Sequence, residues 1–132
     1  LQAGGIEARY YIDCALDRQP AYEAALDFFS RPTPVTALFA ANDWLVVGVL
    51  RALRELGLRV PQDLSVIGFD DDLLAGHITP ALTTMRVDKV GMGRLAVSLL
   101  VNRVQFPESA QIVARMRPRL VERESVRSIK SA

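Results

Sequence analysis

The sequence predicts an α/β fold, a parallel sheet with helices on both faces. Three observations predict it. The apolar run VTALFAA at 35–41 has the pattern of a strand covered on both sides. From Trp44 the apolar period becomes helical, with Val46, Val49, Leu50, Leu53 and Leu56 sharing one face. A second strand pattern, LSVIGF at 64–69, follows a short connection through Pro61 and Asp63. Strand, helix and strand at this length form a crossover unit, which lays the two strands parallel and ends both at one edge of the sheet.

The remaining elements follow in order. Residues 1–5 read as a helix tail with a glycine stop. The stretch ARYYIDC at 8–14 has the composition of a short strand, and 16–20 is loop. A helix spans 21–29 with Tyr22, Ala25, Leu26 and Phe29 on one face, and Pro32 and Pro34 break the chain after it. The helix that starts at Trp44 ends at Gly57, a residue suited to a left-handed cap. One helical turn fits 73–80, ended by Pro80, and LTTMRV at 82–87 is extended. A second long helix spans 88–104, with Asp88 as N-cap and a stripe of Met92, Leu95, Ala96, Leu99 and Leu100. Residues 112–120 alternate as a strand with one wet side, and Pro118 places it at an edge. Residues 126–132 read as a frayed tail.

Composition narrows the function. A chain of 132 residues, half of them apolar, fits one folded domain rather than a disordered segment. A net charge of +1 gives no general attraction to nucleic acid or anionic membrane. The single cysteine, Cys14, excludes an internal disulfide and suggests a reducing compartment. No apolar run approaches the roughly 20 residues that span a bilayer, so no membrane partner is expected. The first residues lack the basic start and apolar core of a secretory leader, and with no initial Met the chain reads as a piece of a longer protein.

The chemistry gathers where the two parallel strands end, at Asn42-Asp43 and at Asp70-Asp71-Asp72. In open α/β sheets ligands sit beyond the carboxyl ends of the strands, and an amide with several carboxylates suits hydroxyl groups. Capping is the competing reading, since Asn42 or Asp43 suits the start of the helix and the Asp70–Asp72 cluster suits a turn; both readings stay open. Asp13 ends the first strand pattern at the same edge, and Trp44 offers a ring for stacking on a sugar or for packing. Asp43, Asp70 and Asp71 would also suit magnesium in a phosphotransfer domain, but no strand ends in the lysine such a site needs. Arg115, Arg117 and Arg119 share a strand face, yet no aromatic residues interleave with them and Glu122 and Glu124 lie near, so a solvated face is expected. There is no GxSxG, no glycine-rich phosphate cradle and no histidine placed to serve Cys14, so neither catalysis nor a cofactor is predicted.

The blocks TALFAANDWLVVGVLRALRELGLRVPQDLSVIGFDD, ITPALTTMRVDKVGMGRLAVSLL and LVERESV, in this order and spacing, closely resemble the C-terminal part of LacI-family transcription regulators over residues 30–126. Residues 1–29 fit more loosely. The resemblance implies a periplasmic-binding-protein-like effector domain of type I, with a sugar-like or nucleoside-like ligand between two lobes. By that likeness Asn42 and Asp70 point into the cleft, and Asp43 orders the loop before it touches ligand. Val87 stands where relatives often carry a polar contact, which points to a less polar effector. Residues 1–83 and 119–127 would belong to the C-terminal lobe. Residues 84–118 would be elements of an N-terminal lobe otherwise missing from this chain, so their apolar stripe should need another partner, through dimerisation, domain exchange or disorder. The resemblance further implies a cytoplasmic, non-enzymatic homodimer that reaches operator DNA only through an N-terminal helix-turn-helix preceding these residues. A periplasmic sugar-transport receptor shares the fold and is the alternative reading.

Overall fold

The structure, a computed structural model, describes residues 10–128. The expected helix tail at 1–5 and the start of the 8–14 segment lie outside these. The elements run α1 (Arg18–Phe29), β1 (Ala37–Phe39), α2 (Asp43–Glu55), β2 (Ser65–Asp70), a 3-10 turn (Leu73–Gly76), β3 (Thr83–Arg86), α3 (Lys89–Gln105) and β4 (Arg119–Val121). The sheet order is β1-β2-β3-β4, with the first three strands parallel and β4 antiparallel to β3. The expected mostly parallel α/β sheet with helices is therefore what the chain forms.

α2 is the central element, and its sequence sets both its ends. Asn42 stands in extended conformation and its side chain accepts the Leu45 N–H at 2.9 Å, which satisfies one of the free donors of the first turn. Gly57, at φ 73°, turns the chain away after the last turn. Between them Leu45, Val46, Val49, Leu50, Ala52 and Leu53 are buried, and Val66 and Leu82 join the same core. α1 buries Ala21, Ala25 and Phe29 against it. The two helices touch at Gly48, where a Cβ would run into the Arg18 carbonyl oxygen and would lie 2.8 Å from the Tyr22 nitrogen.

Three strand expectations are corrected. The 35–41 run yields a strand of only three residues, and Ala37 and Phe39 are exposed rather than covered on both faces. Among the described residues β1 has one ladder partner, β2. Residues 10–15 form no strand; Ile12 and Cys14 are half-buried beside the core and Tyr10 meets Phe28 edge to face, but among the described residues no strand pairs with them. Residues 112–118 likewise form no strand. Their alternation is a real pattern, but only Arg119–Val121 lies alongside β3, and the rest pairs with no strand among the described residues.

α3 begins as expected, with the Asp88 carboxylate accepting the Gly91 N–H at 2.9 Å. None of its residues is buried. Leu95 and Leu99 are half-buried and Leu100 is 64% exposed, so the described residues do not cover the apolar stripe.

The segment after β4 is pinned across the sheet by one hydroxyl. Ser125, fully buried, donates to the Val66 carbonyl at 2.6 Å and accepts the Thr83 N–H at 2.8 Å. Replacing Ser125 with Ala leaves a buried donor and a buried acceptor unanswered and is expected to cost about 1–3 kcal/mol. A lower denaturant midpoint at unchanged slope is the measurement that checks it.

Candidate functional site

β1 and β2 end side by side, with Ile67 opposite Phe39 in the register and Ala40 N–H donating to the Ile67 carbonyl at 2.9 Å. Asn42 therefore stands beside the end of β2, where Asp70 closes the strand. The Asn42 carbonyl oxygen is spent on the helix cap, but among the described residues its amide nitrogen donates to nothing. Asp70 is half-buried, and no protein group hydrogen-bonds its carboxylate among the described residues. Its backbone has φ 110°, and Asp71 follows at φ 52°, two consecutive positions in a region that side chains other than glycine rarely adopt. The strand thus ends in a strained turn that presents one carboxylate.

Asp43 has a different role from Asp70. It is completely buried. Its Oδ1 accepts the Thr84 hydroxyl at 2.7 Å and its Oδ2 accepts the Asp72 N–H at 2.8 Å. It reaches both because Gly68 has no side chain, and a Cβ there would collide with Asp43 Oδ1. Burial pushes its carboxyl above the ordinary 3.8, only partly opposed by the Thr84 and Asp72 bonds. Both Asp43 oxygens are thus engaged inside the protein, one with β3 and one with the loop after β2.

Asp71 is also withdrawn from the surface. Its side chain is 7% exposed and is held by Arg123 Nη2 at 2.7 Å and by Arg86 Nε. Burial pushes its carboxyl up, but the Arg123 and Arg86 hydrogen bonds outweigh this and hold it below the usual carboxylate range. Asp72 accepts from Lys89 Nζ at 2.6 Å. The aspartates do not converge as a metal site. Asp43 and Asp71 spend their oxygens inside the protein, and among the described residues no group of three or more His, Cys, Asp or Glu could hold a metal ion. That geometry leaves the magnesium reading without a donor set.

Trp44, one residue past Asn42 and Asp43, is 47% exposed, with the Arg18 guanidinium 5.4 Å from its ring centre. Asp13 is exposed, and no hydrogen bond joins it to Asn42 or Asp70. Val87 is half-buried just past the end of β3, and Arg119 is exposed on β4. Arg86, Arg123 and Thr84 build this edge and escaped the reading of the sequence. The adjacent hydroxyls Thr83 and Thr84 in an extended stretch were the available signal; nothing local marks Arg123, whose partner lies 52 residues away.

Residues 2–126 match the family described as Periplasmic binding protein-like domain. The chain is 35% identical over 128 residues to the HTH-type transcriptional repressor PurR of Serratia proteamaculans, covering 96% of this chain and 38% of that protein. A LacI family transcriptional regulator from Enterococcus faecium with bound ribose superposes with a TM-score of 0.79 at 31% identity, over 90% of this chain and 44% of that one. A regulator of the same family from Arthrobacter sp. FB24, in complex with lactose, gives 0.77 at 36% identity, over 86% and 43%. The chain thus spans well under half the length of the proteins it resembles.

Proposed function

The chain belongs to the periplasmic-binding-protein-like domain family, among the LacI-type regulators, and from that premise we propose that it is the effector-sensing part of such a repressor. The observation that carries this reading is the pair Asn42 and Asp70. An amide nitrogen and a carboxylate, neither answered by a protein group among the described residues, stand at adjoining strand ends. They suit the donor and acceptor of a ligand hydroxyl, as in a sugar-like or nucleoside-like molecule. Trp44 adds a half-exposed ring beside them, and Val87 favours an effector that is less polar on that side.

On this reading the protein is a cytoplasmic homodimer without catalytic activity. It contacts operator DNA through a helix-turn-helix that precedes these residues. Residues 84–118 belong to the second lobe, whose apolar surface covers α3. Effector binding shifts the equilibrium between lobe arrangements and so the spacing of the DNA-binding heads. The named repressors among the relatives favour this over a transport receptor.

The test is a titration of the full-length protein with ribose, lactose and adenosine, read by calorimetry. At least one is expected to bind, and Asp70→Asn is expected to weaken it by about tenfold to a hundredfold, the loss of a charge-assisted hydrogen bond. Asparagine also tolerates positive φ, so the loss reports the charge rather than the backbone. Binding unchanged in Asp70→Asn would remove Asp70 from the site.

A further inference from the structure

We infer that Asp71 is the positioning residue of this edge, a buried charge clamp that holds Asp70 in its strained turn and ties it to β3 and to the segment that returns after β4. Three observations carry it. First, Asp70 and Asp71 adopt positive φ in succession, and Asp70 at φ 110° lies beyond the left-handed well that aspartate tolerates, so this turn stores strain that something must hold. Second, the restraint comes from side chains on two other parts of the chain. Arg86 lies at the end of β3, directly opposite Asp70 in the strand register. Arg123 lies two residues past β4, and besides binding Asp71 it donates through Nη1 to the Leu82 carbonyl at 2.7 Å, while its N–H donates to the Thr83 hydroxyl at 2.9 Å. Third, the centre of the clamp is shielded: the Asp71 side chain is 7% exposed and that of Arg123 21%, while the Arg86 arm is 42% exposed, so the Arg123–Asp71 pair is the protected one.

β3 and β4 are joined by the long excursion through α3, so Asp71 touches both ends of that excursion with one carboxylate. A change in the angle between β3 and the returning segment must stretch one of the two bonds. The turn that presents Asp70 moves with it, and a ligand held by Asp70 resists that movement. Asp70 contacts the effector and Asp71 acts through it. The inference rests on the reading of Asp70 as an effector contact; the clamp itself stands on the geometry alone.

The experiment compares wild type, Asp71→Asn and Asp71→Gly in the full-length protein by amide hydrogen exchange. Asparagine keeps the volume and tolerates φ 52° but carries no charge; glycine relaxes the backbone and removes the clamp altogether. In both variants the amides of residues 71–75 are expected to exchange about tenfold faster or more, with less than about twofold change at Val46, Leu53 and Val66 in the core. The affinity for whichever of ribose, lactose and adenosine binds the wild type should fall in parallel. Unchanged exchange at 71–75 overturns the inference, and so does an equal rise across the core, which would mean a merely structural ion pair. Faster exchange at 71–75 in a protein that binds none of the probes would uphold the clamp and count against the effector reading instead.

Discussion

Replacing Asp43 with alanine is expected to lower stability by about 3 kcal/mol and to loosen the turn after β2. The cost has two named sources. The Thr84 hydroxyl and the Asp72 N–H lose their acceptors, and each stranded buried group costs about 1–3 kcal/mol. A small gain offsets part of this, because the variant no longer buries a carboxylate. The gain also has a pH signature. The folded-state pKa of Asp43 is raised, so between the ordinary 3.8 and that raised value the folded protein binds more protons than the unfolded chain. Its contribution to stability therefore falls as pH rises through this window and stays low at neutral pH. Asp43→Asn keeps the shape, lets its oxygen accept the Asp72 N–H and lets its amide donate to the Thr84 oxygen, so it should cost far less than alanine. It should also flatten the decline with rising pH just above 3.8. Urea midpoints of the three proteins between pH 4 and 8 check both points. A wild-type curve that rises steadily across that range and runs parallel to Asp43→Asn would show that burial does not govern this carboxylate. Two groups act in the opposite sense at lower pH: Asp63, held at about 2 by its hydrogen bonds to Arg59, and Asp71. Their contributions are lost only as pH falls below the ordinary carboxylate range.

The contrast between Asp43 and Asp70 also shows what the sequence reveals and what it hides. Hydrophobic period placed α2 and β2, and the caps Asn42, Gly57 and Asp88 fell where their chemistry requires, because these signals are local. The meeting of Asn42 and Asp70 at one edge followed from parallel topology, which the crossover unit dictates. Residue spacing alone did not tell Asp43 from Asp70; only the family resemblance separated their roles. Asp43 turns inward because Gly68 on β2 leaves room for its carboxylate and Thr84 on β3 offers a hydroxyl, and both lie far along the chain. The two strands that did not form were misread for a related reason. ARYYIDC and the alternating 112–118 have strand composition, but a strand also needs a neighbour, and composition does not report one.

Gly48→Leu is expected to cost about 3 kcal/mol, the upper part of the range for overpacking a filled site. On an open helix face the same change would be favourable by nearly 1 kcal/mol, since glycine is the poorest helix former after proline. Here the local preference loses to the tertiary contact. The first atom of any side chain meets the Arg18 carbonyl and the Tyr22 nitrogen, which are backbone and cannot rotate away. The only relief is to move α1 off α2, which opens the core around Ala21, Ala25, Val49 and Leu53. That movement carries Arg18 away from the Trp44 ring. Trp44 is the only tryptophan of the chain, so its fluorescence reports the shift without a label. Gly48→Leu should therefore show a lower denaturant midpoint together with a changed Trp44 emission in the folded protein. Gly76→Ala, where an added Cβ meets nothing within 4 Å, should change neither. If Gly48→Leu kept wild-type stability and emission, the close approach of the two helices would be refuted.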